Sequence, residues 1–249
     1  METGLAGKRA IVAGGASGIG RSIVAALETE GAAVAVIDMS PGDAGIVHVQ
    51  VRLGEPETSE RAVVQAAEAL GGLDLFVYTA AVARHERALR ISEPAWRETI
   101  ESNVAGCVWT CRAAGNLLAS AGGGSILVIG STTLYTPAAG EAAYRASKAA
   151  LKAFVEVLAI ELAPSSVRAN LLTPGAVETP LTSGMSADRR QLLVREIPLG
   201  RQAVPAELDA TALLLLSDRL SPYTTGAEFV VDGGIRLRPM PPTVAEEGR

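Results

Sequence analysis

The chain has 249 residues, 48% of them apolar and 20% charged, with a formal net charge of −5. That length and composition fit one large α/β domain with a well-buried core and exclude a disordered chain. An acidic balance without a basic cluster argues against nucleic acid or an anionic membrane surface as a partner.

No run of eighteen apolar residues is present, so no membrane-spanning helix is expected. Residues Met1 to Arg9 lack the basic-then-apolar order of a secretory leader, and a cytoplasmic location is expected. Two histidines, His48 and His85, and two cysteines, Cys107 and Cys111, cannot assemble a metal site at usual spacings. The cysteines, four apart on one helix, read as packed small hydrophobes.

In chain order, residues 8–13 read as a first strand. Gly14-Gly15-Ala16-Ser17-Gly18-Ile19-Gly20 follows, and a helical pattern runs from Arg21 to Glu30. Strand, glycine turn and helix together make a phosphate-binding context. Glycine lets backbone approach a pyrophosphate, and the helix N-terminus offers free N–H groups and a positive dipole end. Residues 33–38 form a second strand ending in Asp38. An acid at that place accepts hydrogen bonds from a ribose diol and repels a 2′-phosphate. Met39 follows it rather than a base, which favours NAD over NADP.

Residues 46–51 read as a third strand, 57–70 as an amphipathic helix and 73–78 as a fourth strand. A polar loop with His85, Glu86, Arg87 and Arg90 follows. One long helix is expected over about 93–121, with Pro94 in its first turn. Asn103 inside it is a poor helix residue, so either it is exposed or its side chain has a task.

Residues 126–129 form a buried strand with Ser131 just past its carboxyl end. A helix from about Ala142 to Ala163 puts Tyr144 and Lys148 on one face. An ammonium beside a phenol favours phenolate, so a lowered tyrosine pKa is expected, suited to proton exchange with an alcohol or carbonyl. On this helix Arg145, Lys148, Lys152 and Glu156 form a narrow polar stripe. The wide apolar remainder predicts a homo-oligomer, dimer or tetramer. Residues 167–172 form a sixth strand ending at Thr173-Pro174-Gly175. The weakly patterned 175–204 suits a substrate lid. A helix over 206–216 and a strand over 228–232 complete the pattern. The tail 238–249 reads as loose. Alternating strands and helices give one doubly wound Rossmann domain over 1–237, a parallel seven-stranded sheet with helices on both faces. Ligands of such sheets bind past the strands' carboxyl ends.

From about residue 5 to 237 the chain resembles the classical short-chain dehydrogenase/reductase family. The resemblance rests on Ala13 to Gly20, Asn103-Val104-Ala105-Gly106, Ser131, Tyr144-Arg145-Ala146-Ser147-Lys148, Asn170, Pro174-Gly175 with Thr179, and Asp232-Gly233-Gly234. It implies an oxidoreductase moving a hydride between nicotinamide C4 and a secondary alcohol or ketone. Tyr144 would be the general acid/base, and Ser131 would bind the substrate oxygen. Lys148 would hold the nicotinamide ribose and lower the tyrosine pKa. Asn103 would bend its helix and hold a water. Gly14, Ser17, Gly18, Ile19, Gly20, Asp38, Leu53 and Ala80 would line the cofactor site. Pro174, Gly175 and Val177 would also bind the cofactor, and Thr179, with the backbone just before it, would meet the nicotinamide amide.

Three positions depart from the family pattern. Tyr78-Thr79-Ala80-Ala81 replaces Asn-Asn-Ala-Gly, Arg52 replaces an adenine-reading aspartate, and Ala13 replaces a threonine. The first predicts an altered floor for the cofactor site. Competing readings are an NADPH-dependent 3-oxoacyl-thioester (acyl carrier protein) reductase, a non-catalytic cofactor-binding scaffold, and a lyase or epimerase on the same fold.

Overall fold

The computed structural model describes residues 2–42 and 47–237. Short runs rich in valine, isoleucine and leucine form seven strands: β1 Arg9–Ala13, β2 Ala33–Asp38, β3 Val47–Gln50, β4 Leu75–Tyr78, β5 Gly124–Ile129, β6 Val167–Pro174 and β7 Glu228–Val231. All pairings are parallel, in the order β3-β2-β1-β4-β5-β6-β7. The order reverses between β1 and β4, where Ala13 pairs with Tyr78.

Both sheet faces are covered, which is why the central strands carry apolar residues on both sides. The helices are α1 Gly18–Thr29, α2 Pro56–Leu70, α3 Glu93–Ile100, α4 Gly106–Ser120, α5 Ala142–Leu162, α6 Pro180–Ser183, α7 Ala187–Arg195 and α8 Asp209–Leu216. On one face Ile11, Phe76, Ile126 and Val128 pack with Val63 of α2, Cys111 of α4 and Leu151 of α5. On the other, Val12, Val77 and Leu127 pack with Ile23 and Leu27 of α1 and Leu215 of α8. The alternation along each strand therefore builds two cores, one on each face.

The expected long helix over 93–121 is interrupted. Residues Glu101–Ala105 form a π turn between α3 and α4, in which the Gly106 N–H reaches back five residues to the Glu101 carbonyl. The weakly patterned lid contains two short helices. Pro180 starts α6, and the Ser186 side chain caps α7 by accepting from Arg189 N. The third strand begins at Val47, while Ile46 and the tail 238–249 lie outside the described residues. Cys107 and Cys111 are buried free thiols with their sulfurs 3.8 Å apart. Among the described residues no helix is long and apolar enough to cross a membrane, and no cluster of three or more metal-ligating side chains occurs.

The polar stripe expected on α5 needs one correction. Lys148 is 2% exposed and turns into the protein. Leu151, Val155, Leu158 and Ala159 of the same helix are covered by the chain itself, whereas Val157 and Ile160 are 52% and 75% exposed.

Candidate active site

The site begins where β1 ends. Gly14 takes a left-handed φ of +86°, and a Cβ there would stand 2.5 Å from the Ala80 nitrogen. A Cβ on Gly20 would stand 2.1 Å from the Gly14 carbonyl oxygen. No side chain fits at either place, so glycine is required by close approach. Ser17 precedes α1 but, among the described residues, makes no side-chain capping hydrogen bond. The N–H groups of the first turn are therefore open to an anion, at the positive end of the helix dipole. Asp38 closes β2 with its carboxylate fixed at both oxygens: one accepts from Ala16 N at 3.1 Å, the other from Ser40 N at 2.9 Å.

A cleft of about 400 Å³ runs along these strand ends and brings together Gly14, Ser17, Gly18, Ile19, Gly20, Asp38, Leu53, Ala80 and Thr179. This set fits a dinucleotide: a glycine cradle with no room for Cβ atoms, a helix N-terminus for a pyrophosphate and a carboxylate for a ribose diol. Pro174, Gly175 and Val177 do not line it. Pro174 ends β6, and Gly175 donates its N–H to Val231 O at 2.9 Å. Val177 is buried in the core, its carbonyl accepting from the Thr182 hydroxyl at 3.0 Å.

Two residues of the departed motif carry contacts that sequence reasoning missed. Thr79 Oγ1 reaches the carbonyls of Ala13 and Gly14, at 3.0 and 2.9 Å, and ties β4 to the glycine turn. The Tyr78 hydroxyl donates to Ser102 O, in the π turn, at 2.5 Å. The floor is therefore rebuilt with a hydroxyl and a phenol in place of two amides. The signal available in the sequence was that both replacements keep a hydrogen-bond donor. Arg52 also has a counterpart. Its guanidinium donates to Glu98 at 3.1 Å, Arg84 donates to the other Glu98 oxygen at 2.6 Å, and all three line the cleft. The two guanidiniums hold the Glu98 carboxyl below the usual range, so this wall still carries a carboxylate, supplied by α3.

The four catalytic candidates meet at the ends of β4 and β5. Asn103, fully buried in the π turn, accepts from Val82 N at 2.8 Å and donates to Val82 O at 2.9 Å and to Ser147 Oγ at 3.0 Å. Of the two readings of this asparagine, the structure selects the one in which its side chain has a task. It fixes the loop after β4, of which Val82 lines the cofactor cleft, against α5. Ser131 Oγ accepts from the Thr133 hydroxyl at 3.1 Å, and the Ser131 side chain favours the ionised form of the Tyr144 phenol. Lys148 Nζ donates to Ile129 O at 2.9 Å and stands 5.6 Å from the centre of the Tyr144 ring.

The expected lowering of the tyrosine pKa is corrected here. Burial pushes Tyr144 up to about 12, against the pull of the Ser131 hydrogen bond and helped by the charge of Glu141. The same burial brings Lys148 down to about 8. Loss of water dominates both shifts, because each charged form is costly in a low-dielectric site. In the chain by itself the phenol holds its proton at neutral pH, the state of a general acid.

A family profile described as Enoyl-(Acyl carrier protein) reductase matches residues 14–236. A 3-oxoacyl-(acyl-carrier-protein) reductase from Chlamydia pneumoniae is 33% identical, the match covering 94% of this chain and 99% of that protein. A D-threitol dehydrogenase from Mycolicibacterium smegmatis is 34% identical over 94% of this chain and 95% of its own length. Among solved structures, a 3-ketoacyl-(acyl-carrier-protein) reductase from Brucella melitensis complexed with NADH superposes with a TM-score of 0.85 at 28% identity, covering 93% of this chain and 99% of that one. With its sheet order, glycine turn and Ser131–Tyr144–Lys148 cluster, the chain belongs to the short-chain dehydrogenase/reductase family, oxidoreductases acting on CH–OH groups with NAD(P) as acceptor.

Proposed function

We propose that the protein is an NAD-dependent dehydrogenase of secondary alcohols that also reduces the corresponding ketones. The observation that carries the NAD assignment is Asp38, fixed by Ala16 N and Ser40 N at the edge of the cleft. Its carboxylate suits a ribose diol and repels a 2′-phosphate. Gly14, Ser17, Gly18, Ile19, Gly20, Asp38, Leu53, Ala80 and Thr179 would hold the dinucleotide, with Pro174, Gly175 and Val177 as backbone neighbours. Bound nicotinamide supplies the hydride chemistry at its C4.

Each protein group then has a part in handling the proton. Ser131 Oγ–H donates to the substrate oxygen. Tyr144 gives its proton to that oxygen in reduction and takes one in oxidation. Lys148 is the buried cation that favours the phenolate when the proton leaves. Asn103 acts as a brace, holding the loop at Val82 and Ser147 of α5 in one geometry.

The exposed Val157 and Ile160 on α5 support a homo-oligomer, with small alcohols or ketones as the other partners. A cytoplasmic setting is consistent with the free buried thiols. A second reading, reduction of a 3-oxoacyl thioester, is favoured by the Chlamydia pneumoniae relative. Asp38, whose carboxylate repels a 2′-phosphate, weighs against its NADPH-dependent form.

Fluorescence titration with NADH and NADPH, followed by a ketone and alcohol panel, tests the proposal. The expected result is tighter NADH binding with turnover. In Tyr144→Phe turnover is expected to fall by about 10²–10⁴-fold with NADH affinity retained. Tighter NADPH binding overturns the NAD assignment, and full activity of Tyr144→Phe overturns the role of the phenol.

A further inference from the structure

Glu141 occupies an unusual place. It stands at the N-cap of α5, three residues before Tyr144, but its side chain does not cap the helix. One of its carboxylate oxygens, Oε2, is buried and has no hydrogen-bond partner among the described residues. The other lies 3.9 Å from Arg189, on the lid helix α7. Carboxylates are almost never buried unless paired and hydrogen-bonded, so an open oxygen here calls for a donor.

Its surroundings put Glu141 beside Tyr144, between the lid and the loop after β4. Residues three apart on a helix share a face, about 5–6 Å between Cβ atoms. The charge of Glu141 is felt at the Tyr144 phenol, where it works against ionisation. The loop after β4 runs alongside, with a backbone bridge between Glu86 and Glu141. The titratable side chains facing it are His85 from that loop, Arg189 from the lid and Arg145 from its own helix. Arg145 is committed elsewhere, donating to the carbonyls of Thr133 and Leu134. Two guanidiniums, of Arg189 and Arg145, already face the carboxylate, so a further ammonium is disfavoured and a neutral O–H donor suits the unpartnered oxygen.

We infer that Glu141 is a specificity residue whose free oxygen accepts a hydrogen bond from a second hydroxyl of the substrate, selecting vicinal diols and α-hydroxy ketones over simple alcohols and ketones. This rests on the dehydrogenase reading above and names the substrate class of that same site. The pairing with Arg189 places the lid against the group that reads the substrate. A site built to receive a hydroxyl rejects the analogue lacking it, because the buried acceptor is then left unpaired.

The test compares acetoin with 2-butanone, and 2,3-butanediol with 2-butanol, in the wild-type chain, Glu141→Gln and Glu141→Leu, with NADH titrations of each. The wild type is expected to favour acetoin by roughly 10- to 100-fold in kcat/KM. Glu141→Leu is expected to erase that ratio, mainly through KM for acetoin. Glu141→Gln keeps an acceptor oxygen and is expected to retain part of it. Both variants lower the pH at which oxidation reaches half its maximum, since a negative neighbour of Tyr144 is gone. A wild type with no preference overturns the inference, as does a Glu141→Leu ratio equal to that of the wild type. A preference for aminoacetone over acetoin overturns the neutral-donor reading. Failure of NADH binding, or of turnover on every alcohol and ketone, strikes the dehydrogenase reading instead.

Discussion

The Tyr78 hydroxyl donates to the carbonyl oxygen of Ser102 across 2.5 Å. The first residue is the buried end of β4, and the second lies in the π turn that carries Asn103. One hydrogen bond thus joins the floor of the cofactor cleft to the brace of the catalytic cluster. Tyr78→Phe is expected to destabilise the fold by about 1–3 kcal/mol, the cost of a buried carbonyl left without its donor. It is also expected to lower kcat several-fold with little change in KM for NADH. Denaturant unfolding and steady-state kinetics measure both, and wild-type values in each would show that the bond does not position the turn.

Thr79→Val keeps the shape of the side chain and removes its hydrogen bonds to Ala13 O and Gly14 O. The glycine turn then loses its tie to β4. Weaker NADH binding is expected, about tenfold or 1.4 kcal/mol, read by fluorescence titration. Unchanged affinity would mean that the close packing of Gly14 and Gly20 fixes the turn without Thr79.

Asp38→Ala removes the charge that faces a 2′-phosphate and the acceptor for Ala16 N. The ratio of NADH to NADPH affinity is expected to fall by about tenfold or more. NADH binding itself weakens as the diol loses its acceptor. A ratio equal to that of the wild type would place the discrimination elsewhere in the cleft.

Lys148 gives a pH signature. Burial lowers it from 10.5 to about 8, so between these values the unfolded chain binds a proton that the folded chain does not. Stability therefore rises with pH across that window, is flat below it and levels off above it. Relative to Lys148→Met, the wild type is expected to gain on the order of 3 kcal/mol from pH 8 to 10.5. Urea unfolding of the two proteins at a series of pH values reads it. The lost hydrogen bond to Ile129 O adds only a constant offset. A difference that does not change with pH would mean that Lys148 is not desolvated.

Much of this molecule was legible in its sequence because the relevant signals are local. The apolar runs of β1, β4 and β5, each followed by a helical period, determine a parallel sheet almost unaided. Strand, glycine turn and helix likewise place Gly14 to Gly20 by local pattern alone. The misses are all properties of the packed chain. Whether Lys148 lowers the Tyr144 pKa depends on how deeply both are buried, which i and i+4 spacing does not encode. The loss of two asparagines at 78 and 79 looked like damage to the floor, because the partners of their replacements, Ser102 O and Gly14 O, lie 24 and 65 residues away. The break between α3 and α4 left one trace, an asparagine in a helix interior. The helices of the lid were hidden because their starts are set by Pro180 and Ser186 rather than by an apolar period.

The π turn at Glu101–Ala105 bears on how this protein can change in length. It holds one residue more than an α-helical turn, since Gly106 bonds back five residues instead of four. Deleting one residue there, such as the exposed Glu101, would let α3 and α4 fuse into a single regular helix. The helix would improve by its own local measure. The segments on either side would keep their buried faces, since the surplus residue is what the turn absorbs, but Asn103 would lose the widened turn that aims it at Val82 and Ser147. Single-residue deletions in this segment should thus yield folded protein without catalysis, which makes the surplus residue a requirement of function alone.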